Sequence, residues 1–86
     1  MKINVRAVIL LMQRMRVSAN YLHTNGQLSL WRGREEIHLP TRVMLGAKLS
    51  YFIVDGFVAN MEPLELLDAL RHFGASEHEL MFVTAG

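Results

Sequence analysis

Four histidines and eight carboxylates are the side chains here that could do acid–base or metal chemistry, so their spacing decides whether the chain is equipped for it. His23, His38, His72 and His78 are scattered. The closest two, His72 and His78, stand six apart, whereas two metal ligands on one helix face need a step of about three or four. Asp68 and His72 do have the four-residue step that sets a base beside its orienter, yet no Gly-x-Ser-x-Gly turn or other placed nucleophile accompanies them. Pairing on a solvated helix face accounts for them with fewer assumptions. Gly33, Gly46 and Gly56 are isolated turn formers, not a phosphate-cradling loop. The chain contains no cysteine, which removes disulfides and thiolate metal sites and fits a reducing cytoplasm. The expectation is a non-enzyme without cofactor, metal or small-molecule substrate.

The cationic residues form a clearer pattern. Eight of the nine Lys and Arg, but only two of the eight Asp and Glu, lie in residues 1–50, so a positive front and a negative tail hide inside a net charge of +1. Such polarity bears on partners rather than on fold. Arg outnumbers Lys seven to two, and its planar fork suits bidentate contact with phosphate or carboxylate. Arg14 and Arg16 on a first helix, Arg32 and Arg34 at a hairpin turn, and Arg42 beyond Pro40 make a nucleic-acid candidate, with Trp31 or Tyr21 as a stacking face. The modest total charge weighs against it, as does the acidic tail, which can pair with the same arginines. Trp31 with Arg32 and Arg34, joined by Glu36 and His38 on the same hairpin, has the composition of a protein-interface anchor. The plain alternative is that Trp31 folds down onto its own domain.

The elements that must position these residues follow from period and punctuation. Eighty-six residues allow one domain, 1–86, and 51% of them are apolar with a mean hydropathy of +0.19, a heavy load for so small a core. Some of that excess is expected to meet a partner. The apolar run Ala7–Met12 is too short for a membrane span or an export-signal core, so the chain is expected to be soluble. Val5, Val8, Ile9, Met12, Met15, Ala19 and Leu22 recur at three- and four-residue steps, which predicts a helix over 5–22 stopped by Asn25-Gly26. A strand over 3–11 competes, because Ile3, Val5, Ala7, Ile9 and Leu11 alternate.

Gly33-Arg34 reads as a type II′ turn, which sets Leu30 opposite Ile37 and Leu28 opposite Leu39. One face of that hairpin is then aliphatic, the other carries Ser29, Trp31, Glu36 and His38, Arg32 meets Glu35, and Pro40 ends the ladder. Residues 43–61 are nearly uncharged apart from Lys48 and Asp55, and Tyr51–Val54, Asp55-Gly56 and Phe57–Ala59 read as a second hairpin with a type I′ turn. Both its faces are apolar, so it must be sandwiched or paired with another subunit, and Tyr51, Phe52, Ile53, Phe57 and Val58 are the expected dimer contacts. A helix across 41–54 is disfavoured by Gly46 and the β-branched cluster.

A helix over about 61–73 comes next, with Asn60 as cap, Pro63 in its first turn, Gly74 as its stop, and Leu64, Leu66, Leu67, Leu70 and Phe73 as its buried side. Ser76 and Glu79 have capping-box spacing ahead of Leu80–Val83, which favours a short final helix over a strand. Those two helices match helix-turn-helix spacing, but the second would bring Glu77, His78 and Glu79 toward phosphates. The expected architecture is α+β: a long first helix, two antiparallel hairpins forming a four-stranded sheet, and one or two helices packed over one face. The expected function is a small protein–protein interaction module, a regulator, inhibitor or adaptor of the kind common in bacteria and their phages. It is expected to act as a homodimer with front against tail, and a nucleic-acid-binding regulator is the alternative.

Overall fold

The structure is a computed structural model that describes residues 2–22, 24, 26–39, 50–54 and 56–84. His23, Asn25, Pro40, Arg42, Gly46, Lys48 and Asp55, all singled out in the sequence, lie outside the described residues.

Asn4 opens the first helix, α1 (Val5–Met15), by accepting the Ala7 amide on its side-chain oxygen at 3.1 Å. Val8, Leu11 and Met12 turn into the core, so the helical period wins over the strand alternation of residues 3–11. The helix ends at Met15, not at residue 22, because Arg16 adopts the left-handed conformation with φ of 60°. The Arg16 amide donates to the Gln13 carbonyl at 3.2 Å and the Val17 amide to the Met12 carbonyl at 2.9 Å, the two bonds of a Schellman cap. Val17 and Met12 both join the core, the apolar contact that commonly accompanies that cap. Beyond it Val17, Ala19 and Tyr21 alternate with Ser18 and Asn20, and the segment extends as β1 (Ser18–Leu22).

Strand β1 pairs antiparallel with β2 (Gln27–Arg32), which pairs antiparallel with β3 (Glu35–Leu39). The β2–β3 register is the expected one, with Arg32 opposite Glu35, Leu30 opposite Ile37 and Leu28 opposite Leu39. Gly33 has φ of 61° at the first central turn position, where a Cβ would be strained and a type II′ turn calls for glycine. Leu28, Leu30 and Leu39 carry this sheet's inner face into the core.

The second hairpin, β4 (Ser50–Val54) and β5 (Phe57–Met61), pairs with Val54 opposite Phe57 and Phe52 opposite Ala59. It does not extend the first sheet into the four-stranded sheet expected from the sequence, and the described residues form a three-stranded and a two-stranded sheet instead. Strands β1 and β4 face one another across a crevice of about 320 Å³, lined by Val17, Ala19, Phe52 and Val54 and by Ile9 and Met12 of α1. Side chains close that seam, not backbone hydrogen bonds.

Helix α2 (Pro63–His72) begins with Glu62 at its N-cap rather than Asn60, because β5 keeps residues through Met61 in its ladder and Pro63 takes the first helical position, where its missing N–H costs nothing. Leu66, Leu67, Ala69 and Leu70 are buried, whereas Leu64 is exposed, contrary to the sequence reading. Two residues correspond to about 200° around a helix, so Leu64 and Leu66 cannot share a face. Gly74, with φ of 106°, ends α2 as expected, in the same paired-bond cap that Arg16 forms without glycine. Helix α3 (Glu77–Thr84) starts in the anticipated capping box, with the Glu79 amide on Ser76 Oγ at 3.1 Å and the Ser76 amide on Glu79 Oε1 at 2.9 Å. It lies antiparallel to α1: the Asn4 amide meets the Val83 carbonyl at one end, and Arg14 pairs with Glu79 at the other.

Two stability predictions follow from these contacts. Replacing the strained cap residue, Arg16→Gly, should raise the unfolding free energy by about 1 kcal/mol in urea titrations. Leu66→Ala should lower it by about 2–5 kcal/mol, while Leu64→Ala changes it by less than about 0.5 kcal/mol. Equal losses from the two leucines would contradict the helix orientation.

Candidate functional site

The β2–β3 register decides which of the expected interface residues share a surface. Trp31 lies opposite Glu36 and Ser29 opposite His38, and Ser18 of β1 continues the row beside Trp31. The indole is 41% exposed, and His38 Nε2 stands 2.8 Å from Glu36 Oε1 on the same outer face. Ser29 is buried. Alternation along β2 sends Arg32 to the opposite face, where its guanidinium lies 5.6 Å from the centre of the Phe73 ring and Nη1 donates to the Met15 carbonyl at 3.5 Å. A cation at the last carbonyl of α1 is where the helix dipole favours one. Arg32 is therefore a strut between α1, β2 and the end of α2, and Trp31, Glu36 and His38 form a patch without it. Arg34 is exposed in the turn.

The front-to-tail charge polarity is partly satisfied within one chain. Arg14 pairs with Glu79, and Glu35 Oε2 meets His72 Nε2 at 2.5 Å, joining the front half to the tail at two places. His72 thus has Glu35 as its partner, while Asp68, its neighbour one turn earlier, pairs with Arg71 Nη1 at 2.7 Å. Arg71 also donates from Nε to Glu77 Oε1 at 2.5 Å, and that hydrogen bond holds the Glu77 carboxyl below the ordinary carboxylate range while raising the guanidinium. Among the described residues, Lys2, Arg6, Arg16 and Arg34 make no ion pair. Of the five arginines read as nucleic-acid contacts, Arg14 and Arg32 are engaged by the fold, Arg16 and Arg34 remain free at the end where Arg32 sits, and Arg42 lies outside the described residues. Among the described residues no cluster of His, Asp and Glu is arranged to hold a metal ion, and no helix is long and apolar enough to cross a membrane.

The second hairpin divides its apolar residues between two faces. Phe52, Val54, Ala59 and Met61 are buried, so Phe52, expected at a dimer contact, belongs to the core. Tyr51, Ile53 and Val58 point outward, 62%, 56% and 56% exposed, with Ile53 directly opposite Val58 and Tyr51 opposite Asn60. Phe57 is half exposed beside the turn.

A further apolar surface escapes the sequence reading. Between α1 and α3 runs an open groove of about 280 Å³, floored by Ala7, Leu11 and Val83 and rimmed by Leu10 and Phe82. The rim residues are 57% and 64% exposed, and His78 meets the Phe82 ring edge-on at 5.2 Å. The available signal was Leu10 itself, which falls off the buried stripe of α1.

No family model, curated protein or solved structure matches this chain.

Two measurements check these placements. Trp31→Ala should cost well under the roughly 3–5 kcal/mol of a buried aromatic truncation, as read from thermal or urea unfolding. A full-sized loss would put the ring in the core. Because the Glu77 pKa is lowered in the folded chain, its contribution is complete above the unfolded carboxylate value and disappears as pH falls through the folded one. Glu77→Gln should therefore lower Tm at neutral pH, with the gap to the parent chain closing below about pH 4. A gap that widens on acidification would contradict the pairing.

Proposed function

We propose that this chain is a small, non-enzymatic protein-interaction module that works as a homodimer, its copies joined through the outward face of β4–β5. The observation that carries this reading is the row of Tyr51, Ile53 and Val58, exposed on a ribbon whose reverse side is already in the core. A two-stranded ribbon is marginal by itself and gains from being covered. In a two-fold contact a patch meets its own image, so it must tolerate itself. The face formed by Tyr51, Ile53, Val58 and Asn60 bears no charge and meets a copy without repulsion. The end bearing Arg16 and Arg34 would oppose like charges.

A symmetric pair presents every other surface twice, which suits an adaptor or inhibitor that holds a partner at two points. The exposed Trp31 patch, with Glu36 and His38, is one such surface. Absence of cysteine supports a cytoplasmic setting. The nucleic-acid reading draws less support, since two of its arginines are already held by Glu79 and by Phe73 with the Met15 carbonyl.

Light scattering at micromolar concentration should give about twice the 9.8 kDa chain mass. Val58→Lys should reduce it to the single-chain value with the circular dichroism spectrum preserved. A parent chain that stays at single-chain mass under those conditions would sink the proposal.

A further inference from the structure

We propose that the end of the molecule bearing Arg16, Arg32 and Arg34 binds an acidic segment of a different protein, one with closely spaced Asp or Glu side chains. The fold itself gathers these arginines. Ser18 of β1 stands opposite Trp31 of β2, so the chain before Ser18 runs beside the chain after Trp31, toward the Gly33-Arg34 turn. The bond from Arg32 to the Met15 carbonyl at 3.5 Å fixes the root of Arg16 at the same place, because that carbonyl and the Arg16 amide belong to one peptide unit. Arg32 touches a carbonyl and the Phe73 ring rather than a carboxylate, and Arg16 and Arg34 make no ion pair among the described residues. The neighbouring carboxylates are turned elsewhere, Glu35 to His72 and Glu36 to His38.

Arg16 carries a second mark. Its φ of 60° is the one positive value outside glycine among the described residues, at a cap position where glycine makes the same bonds without strain. A long, exposed cation kept where the backbone needs no side chain argues for a use of the guanidinium. The negative end of α1 offsets it little, since the Met12 and Gln13 carbonyls accept the cap amides and Arg32 covers that of Met15. Guanidinium groups fork onto carboxylates in bidentate fashion, which suits an acidic segment. A nucleic acid would bring a run of phosphates, and Glu35 and Glu36, directly after Arg34 in the chain, oppose such a run while leaving room for one or two acids. A second copy has little to offer. Five of the eight Asp and Glu are already paired: Glu35 with His72, Glu36 with His38, Asp68 and Glu77 with Arg71, and Glu79 with Arg14. This site rests on the reading of the chain as an interaction module, is separate from the uncharged β4–β5 face and stands whether or not the chain dimerises.

The test is selection from a phage-displayed library of random peptides against the full chain, followed by fluorescence anisotropy with a labelled selected peptide. Peptides with closely spaced Asp or Glu should be enriched. Arg16→Gly should bind the selected peptide at least roughly tenfold more weakly while unfolding at a higher temperature than the parent chain, a combination that a purely structural Arg16 would not give. Arg34→Ala should weaken binding to a similar degree, and so should added salt. Val58→Lys should leave the affinity unchanged, which keeps this result apart from that of the dimer. Enrichment without acidic bias would overturn the proposal and leave the interaction-module reading standing, whereas no enrichment at all would count against both. Affinity indifferent to Arg16→Gly or to Arg34→Ala would also overturn it. So would a mixed-sequence oligonucleotide that binds through Arg16 and Arg34 more tightly than any selected peptide.

Discussion

One apolar core has to serve every element of this chain. Val8 from α1, Leu28 and Leu30 from the first sheet, Phe52 and Met61 from the second, Leu66 and Leu70 from α2, and Leu80 and Val83 from α3 all enter the same cluster. A chain of this length closes only one such cluster, and half of its residues are apolar, so the capacity of the core decides what stays outside. The surplus is not spread evenly. Much of it lies on the outer face of β4–β5 and along the α1–α3 groove, with Trp31 on the outer face of the first sheet, while Leu22, Leu64 and Met81 stand exposed elsewhere. The apolar surfaces proposed for docking are what a filled interior leaves over.

Charge then separates those surfaces. The division between a basic front and an acidic tail is partly spent inside the molecule, where Arg14 meets Glu79. Exposed pairs of this kind add little to stability, but they fix which cations remain available. Among the described residues, Arg16 and Arg34 make no ion pair at the pole near Arg32, and Arg6 makes none in the first turn of α1. Among the described residues, the outer face of β4–β5 carries no charge. The uncharged face proposed for self-association and the cationic pole thus offer different chemistry at different places.

Local rules were legible in the residues, and contacts between distant segments were not. The register of β2 and β3 follows from a glycine at one turn position, and the start of α3 follows from Ser76 and Glu79, because each depends on atoms a few residues apart. The end of α1 was hidden, since the cap that stops it uses Arg16 where glycine or asparagine is usual, and the helical period continued by coincidence through Ala19 and Leu22. Leu64 was misplaced by counting leucines at three-residue steps instead of finding the centre of the buried arc at Leu66 and Leu70. The split between the two sheets and the groove beside Leu10 depend on how α1 packs against segments far along the chain. The place of Arg32 over the Phe73 ring was equally hidden, because the two residues lie far apart in the chain.

The antiparallel match of α1 with α3 joins Asn4 to Val83 through a hydrogen bond of 2.8 Å, so the described fold closes nearly into a ring. A chain leaving the ribosome therefore exposes the inner stripe of α1 long before its covering helix exists. The nascent segment stays adhesive until Glu77–Thr84 arrives to lie against it.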